Sequence, residues 1–422
     1  MSVYQISRLK SGLTIATAEM PHMASVSIGL WVGVGGRYEP AQLNGVSHFI
    51  EHLLFKGTRK RTAKEISQAV EGIGGYLNAF TGEESTCFYS KGRHDRLAEL
   101  LEVLMDMFLH SLFSPGDIDK ERGVIKEELA MYLDQPQHQV QELLNEIMWP
   151  EHPLGRSLTG TTKTLDGLGR SQLVAYHRAN YVAATTLVVM AGNLRHESVV
   201  KAVSAFGSKF STGKRPQFTP VQEQQNQTRV RLFQKETAQA QLALGIRACS
   251  RHDERRYALR LLNTLLGENM SSRLFQVLRE DHGLAYSIQS NLSLFDDVGT
   301  LTISAGLETE KVPRALTLIK KELNRFAENV PTAKELRDAR DYLIGQIDLS
   351  LESTENQMMW LGDQLIGYGK IIPPAQIKER LSEVKAGQIR NVARDFLRPE
   401  RMNLALVSPL KSEAGLEKML RS

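Results

Sequence analysis

Two stretches of this chain repeat one another. Ala24-Ser-Val-Ser-Ile-Gly29-Leu30 and Ala240-Gln-Leu-Ala-Leu-Gly245-Ile246 align at an offset of 216 residues, and each alternates apolar with small or polar residues. A period of two marks a half-buried strand. A second pair of strand-like runs, Thr86 to Ser90 and Thr300 to Ser304, lies at nearly the same offset. A third pair is helical. Ser114-Pro-Gly-Asp117 and Thr332-Ala-Lys-Glu335 both carry the Ser/Thr-x-x-acid pattern of a helix start, with Pro115 suited to the first helical position. Three matches in the same order predict two domains of like topology, as a chain of 422 residues has room for.

Gly207 to Gln227 is polar, holds two Gly and two Pro, and keeps no period. The expected domains are therefore 1–210 and 228–422, with 211–227 as linker. Each half mixes amphipathic helices with alternating strands, which predicts an α+β layer of helices packed on a sheet. In the first half strands are expected near Thr14–Ala18, Val26–Val34, Tyr76–Phe80 and Cys87–Ser90. Helices are expected near Val46–Phe55, Ala63–Ile73, Asp95–His110 and Pro115–Leu133.

Composition narrows the function. Hydrophobic residues make up 41% and charged residues 24%, and the net charge is only +4. Acids and bases interleave, as in Lys120-Glu121-Arg122 and Lys126-Glu127-Glu128, which describes solvated helix faces and not a nucleic-acid stripe. Cys87 and Cys249 are the only cysteines, too few for a disulfide framework or a cysteine zinc site, so a metal would need His and carboxylate ligands. The first residues lack the apolar run and cleavage site of a secretory signal, and no stretch is apolar enough to cross a bilayer. The expectation is a soluble, cytoplasmic protein that binds neither nucleic acid nor membrane.

The chemistry concentrates in Asn44-Gly-Val-Ser-His48-Phe-Ile-Glu51-His52-Leu-Leu-Phe-Lys-Gly57. It reads as one helix with Asn44 as N-cap and Gly57 just past the end. His48 and His52 sit four apart on one face, and Glu51 lies beside them. Two imidazoles one turn apart can chelate a zinc ion, and the adjacent carboxylate can take a proton from water activated by the metal. His-x-x-Glu-His is the inverzincin signature. A catalytic zinc wants a third protein ligand. The helix from Pro115 offers Glu121 and Glu128, two turns apart on one face and about 10 Å along the axis. One of them can ligate and the other cannot reach the same ion, and spacing does not choose between them. Glu127 points elsewhere, and no other histidine has a partner at ligand spacing.

Four blocks in order, GVSHFIEHLLFKGT, GGYLNAFTGEEST, ERGVIKEEL and SSRLFQVLREDHGLAYS, resemble the M16 (pitrilysin-type, inverzincin) zinc metallopeptidases. The resemblance spans essentially the whole chain and is nearest to short bacterial members similar to the β subunit of mitochondrial processing peptidase. It implies two tandem homologous domains, each a mostly antiparallel sheet packed by helices, in a LuxS-like fold. It implies one Zn²⁺ per chain on His48, His52 and Glu128, with Glu51 as general base and Glu121 supporting the site. Asn78, Ala79 and Phe80 match an edge strand on which an extended peptide substrate is laid. Arg279 and Tyr286 match a pair that stabilises charge on the attacked carbonyl. Gly267-Glu268-Asn269-Met270 holds less glycine than the family block, a departure that concerns the flexibility of that turn.

The repeat then bears on mechanism. Shifted by 216, Thr264, Gly267 and Glu268 fall where the first half has His48, Glu51 and His52, and Gln346 stands near the shifted Glu128. The second half is expected to keep the fold and lack the metal site. The implied reaction is endoproteolysis of peptides or unfolded, presequence-like segments. Zinc would activate a water, Glu51 would take its proton and pass it to the leaving amine, and Arg279 or Tyr286 would steady the carbonyl. Two such domains are half of the family's enclosing chamber, so a homodimer, or a heterodimer with a degenerate homologue, is expected. The competing readings are a non-catalytic scaffold subunit of the same fold and a module that only captures extended peptides.

Overall fold

The computed structural model describes residues 4–222, 225–413 and 415–421. Eleven strands, in chain order β1 (Tyr4–Arg8), β2 (Thr14–Glu19), β3 (Ser25–Val32), β4 (Tyr76–Thr81), β5 (Thr86–Arg93), β6 (Thr186–Gly192), β7 (Arg229–Gln234), β8 (Ala240–Ala248), β9 (Ala285–Leu294), β10 (Gly299–Leu307) and β11 (Met402–Ser408), form two sheets among these residues. The first is six-stranded in the order β1-β2-β6-β3-β5-β4, and the second five-stranded in the order β7-β11-β8-β10-β9. Without β1 the two orders are the same. In each, one pair is parallel (β2 with β6, β7 with β11) and the rest are antiparallel. The fold is thus α+β with two tandem domains of like topology, and the repeated heptads lie on the equivalent central strands β3 and β8.

In the first half α1 (Val46–Leu54) and α2 (Ala63–Glu71) lie between β3 and β4, and α3 (Leu97–His110), α4 (Pro115–Asp134) and α5 (Pro136–Met148) lie between β5 and β6. The Asp117 amide donates to Ser114 Oγ at 3.3 Å, and the Glu335 amide to Thr332 Oγ1 at 3.2 Å, so both repeated helix starts are capped. Strand β6 has no counterpart among the expected strands. Its Leu187-Val-Val-Met190 run is apolar without a break, so it lacks the alternation that marks a half-exposed strand.

One compact unit comprises Met1–Ala130, Arg156–Thr219 and Leu349–Ile371, and the other Met131–Gly155, Pro220–Asp348 and Ile372–Ser422. Each half of the sequence holds one sheet, and each unit also takes in helical residues from the other half. In the first unit the helix Thr354–Tyr368 covers one sheet face, where Met358, Leu361 and Leu365 pack on Ala16, Trp31, Cys87 and Val189. In the second unit α5 does the same, with Val140, Leu144 and Met148 on Ala243, Ala405 and Val407.

That arrangement corrects one expectation. Strands β3 and β8 are not half-buried; both faces are covered. Val26, Ile28, Leu30 and Val32 enter one core, while Ser27 and Gly29 lie under the added helix, where Ser27 Oγ is 3.0 Å from Thr354 Oγ1. The small residues record closeness of approach, not exposure. A Cβ at Gly29 would collide with the Met358 sulfur, and one at Gly245 with the Met148 sulfur.

Gly29→Val and Gly245→Val should therefore each cost about 1–3 kcal/mol through overpacking, seen as a lower denaturant midpoint. Gly345→Ala, where an added Cβ meets nothing within 4 Å, should cost nothing. Equal midpoints for all three would contradict the packing.

Candidate metal centre

Helix α1 sets the site. Val46, Phe49, Ile50, Leu53 and Leu54 are at most 1% exposed, so one side of the helix is committed to the core. His48, Glu51 and His52 occupy the remaining side. The start of the helix differs from the expectation. Gly45, in the left-handed region at φ 91°, is the N-cap, and Asn44 ends the short turn before it. The capping acceptor is remote: the buried Glu39 carboxylate accepts the Gly45 N–H at 2.7 Å and the Ser47 N–H at 2.8 Å. Asn44 supports it, donating from Nδ2 to Glu39 Oε2 at 3.2 Å. Burial pushes the Glu39 carboxyl up to about 6, against the backbone hydrogen bonds that lower it. Nor does Gly57 follow the helix directly. Phe55 is the C-cap, and Gly57, at φ 138°, forms a bridge with Thr62.

His48, His52 and Glu128 each offer one ligand atom, and these atoms all lie within 4.8 Å of one another, the one such group among the described residues. Glu128 Oε2 is 3.7 Å from His48 Nε2 and 3.5 Å from His52 Nε2. Glu121, two turns earlier on α4, takes the other ring nitrogen, with Oε2 3.1 Å from His52 Nδ1. With Nδ1 engaged by Glu121, His52 turns Nε2 toward Glu128. Burial, then the neighbouring His52, push His48 down to about 4, so it is an uncharged imidazole at neutral pH. Burial opposes protonation of His52, but its hydrogen bonds with Glu128 and Glu121 outweigh that and raise it. Two imidazole nitrogens and a carboxylate oxygen aimed at one point repel one another unless a cation lies among them. The set fits a tetrahedral zinc with three protein ligands and one open position.

Glu51 is half-buried beside the set. Its Oε2 accepts a hydrogen bond from Thr81 Oγ1 at 2.5 Å. Burial holds its carboxyl above the usual carboxylate range, and the Thr81 hydroxyl and His52 pull it back only in part. Glu127 is exposed. Thr81 ends β4, the edge strand paired only with β5. Asn78 and Phe80 share its exposed face with Tyr76, and Ala79 turns inward and is part-buried. Asn78 Oδ1 accepts the Ala79 N–H at 2.8 Å. Phe80 meets Trp31 edge-on, ring centroids 5.4 Å apart. In the other unit Arg279 and Tyr286 stand together, the guanidinium carbon 5.0 Å from the ring centroid, with Tyr286 78% exposed.

Sequence reasoning missed Lys56, Thr81 and Glu39. Lys56 Nζ is 2.9 Å from Glu121 Oε1, so the Glu121 carboxylate is held from both sides. Lys56 is four residues past His52, and the spacing that paired the histidines could have found it. Thr81 and Glu39 carry no such signal, because both reach the site through tertiary folding. At the equivalent place in the second unit, Glu268 is occupied by Arg260 Nη2 at 2.6 Å and Thr264 Oγ1 at 2.6 Å. An acid neutralised in that way offers a metal nothing.

Glu39→Ala would strand two amides at the start of α1. It should cost about 1–3 kcal/mol, measured by urea unfolding, and an unchanged midpoint would mean the cap is idle.

Residues 14–162 match the family model for insulinase (peptidase family M16), and residues 167–343 the model for the peptidase M16 inactive domain. An uncharacterized zinc protease of Streptomyces coelicolor is 38% identical over 411 residues, 96% of this chain and 89% of its own. One from Bacillus subtilis is 37% identical over 400 residues, 95% of this chain and 97% of its own. The crystal structure of a protease from Helicobacter pylori superposes with a TM-score of 0.91 at 20% identity, covering 96% of this chain and 99% of that one, a likeness of fold. With both family models in order along the chain, and relatives this similar over nearly its whole length, the protein belongs to peptidase family M16.

Proposed function

We propose that this chain is a zinc-dependent endopeptidase with one zinc per chain on His48, His52 and Glu128. The observation that carries the reading is the convergence of those three ligand atoms within 4.8 Å, with Glu51 beside them. Relatives named zinc proteases support the choice of metal. A zinc ion bound there supplies a Lewis acid and an acidified water.

The rest of the work falls to side chains. Glu51, kept partly protonatable by burial, takes a proton from the attacking water and returns it to the leaving amine. Glu121, clamped by Lys56, fixes the ring of His52. The free edge of β4, with Asn78, Ala79 and Phe80, receives an extended peptide as an added strand. Peptides and unfolded, presequence-like segments are the substrate class that geometry suits. Arg279 and Tyr286 supply donors to the charge that develops on the carbonyl oxygen. We place the working form as a homodimer, or a heterodimer with a degenerate homologue. Among the described residues no helix is long and apolar enough to cross a membrane.

Glu51→Gln and Glu121→Gln separate proton transfer from metal support. The first should retain zinc while losing about 10²–10⁴-fold in turnover of a quenched peptide. The second should weaken zinc retention about 10–100-fold in chelator competition. Parental turnover in Glu51→Gln would remove it as the base and leave peptide capture as the better reading.

Arg279→Ala and Tyr286→Phe should keep full zinc and a near-parental melting transition, since Tyr286 is 78% exposed and Arg279 is only part-buried. Loss of an oxyanion donor typically costs about 10²–10³-fold. Near-parental kcat/KM for both would withdraw the pair from the mechanism.

A further inference from the structure

Away from the metal centre, the first unit contains a cavity of about 340 Å³ where the C-terminal ends of α3 and the helix Arg170–Asn180 meet the loop after α1. Arg59, Arg170, Arg178 and Lys209 line it, and among the described residues no Asp or Glu does. Among the described residues none of the four forms an ion pair with a carboxylate. Arg170 spends two of its five donors on the Phe113 and Leu112 carbonyls, at 2.8 and 3.4 Å, which fixes its guanidinium at the rim. Lys209 Nζ lies 5.3 Å from the Phe206 ring. The net charge of the chain is only +4, yet these four cations gather around one hollow.

We infer that this cavity binds a nucleotide-sized organic phosphate. Four like charges around one hollow repel each other, and a multivalent anion turns that repulsion into attraction. Guanidinium groups suit phosphate oxygens in particular, since their paired donors match two oxygens at once. The lining is not only charged. Leu112, 45% exposed, and Val174 provide an apolar wall for an organic body. The volume falls within the range of small-molecule sites.

The test titrates ATP, tripolyphosphate, adenosine and a glutamate-rich peptide into the full chain at physiological ionic strength, followed by calorimetry and thermal unfolding. ATP should bind and raise the melting temperature, tripolyphosphate should compete with it, and adenosine and the peptide should not bind. The double variant Arg59→Glu/Arg178→Glu should weaken ATP binding at least tenfold, and Lys209→Gln alone should weaken it less. All three side chains are exposed, so the variants should fold as the parent does. ATP also chelates zinc, but the double variant leaves His48, His52 and Glu128 intact. An ATP response that persists in it comes from the metal and overturns the assignment. Binding of the acidic peptide in place of ATP, or of no probe, overturns it as well.

Discussion

The site depends on the rotation of α1 about its own axis. Five apolar side chains at 46, 49, 50, 53 and 54 are sealed in the core, and together they leave one orientation. Burying each is worth about 1.5–3 kcal/mol, far more than any bond His48 or His52 could make by turning elsewhere. The polar side is therefore fixed before any metal is considered. Glu39 adds the second constraint by holding the amides at the helix start. Helix α4 meets this prepared surface with two acids two turns apart. The distance between them is the reason they divide the work: one carboxylate serves each ring nitrogen of His52.

The same scaffold is used twice with different contents. Both sheets share their strand order, and both central strands carry a glycine where a covering helix comes close. These features are demanded by packing, which is indifferent to what the outer helix face carries. At the equivalent position the second unit holds an acid, Glu268, compensated by Arg260, Asn263 and Thr264. A buried charge with its partners supplied is a stable arrangement without a metal. The first unit leaves His48, His52 and Glu128 facing each other, an arrangement that a cation completes.

The charge pattern elsewhere follows the same rule. The buried Asp106 is met by Thr58, Arg61 and His110, at 2.7, 2.8 and 3.1 Å, and so ties the loop after α1 to α3. Where compensation is missing, as among Arg59, Arg170, Arg178 and Lys209, the surroundings are concave and part apolar. Like charges gathered around a hollow repel one another, and a bound anion would relieve that repulsion.

Much of this could be read along the chain, because helical spacing is a local property. The pairing of His48 with His52, the place of Glu51 and the two-turn separation of Glu121 and Glu128 all follow from 3.6 residues per turn. The repeat was legible too, through the period of two that both sheets impose on their central strands. Spacing could not say which acid meets which nitrogen, since that depends on where α4 crosses α1. Nor could it show that the small residues of β3 and β8 are covered, because the covering helices come from distant sequence. Thr81 at Glu51 and Glu39 at the start of α1 were likewise invisible. Local sequence determined which side chains share a face; only the tertiary structure decided what each face meets, because that is set by packing between segments far apart in the chain.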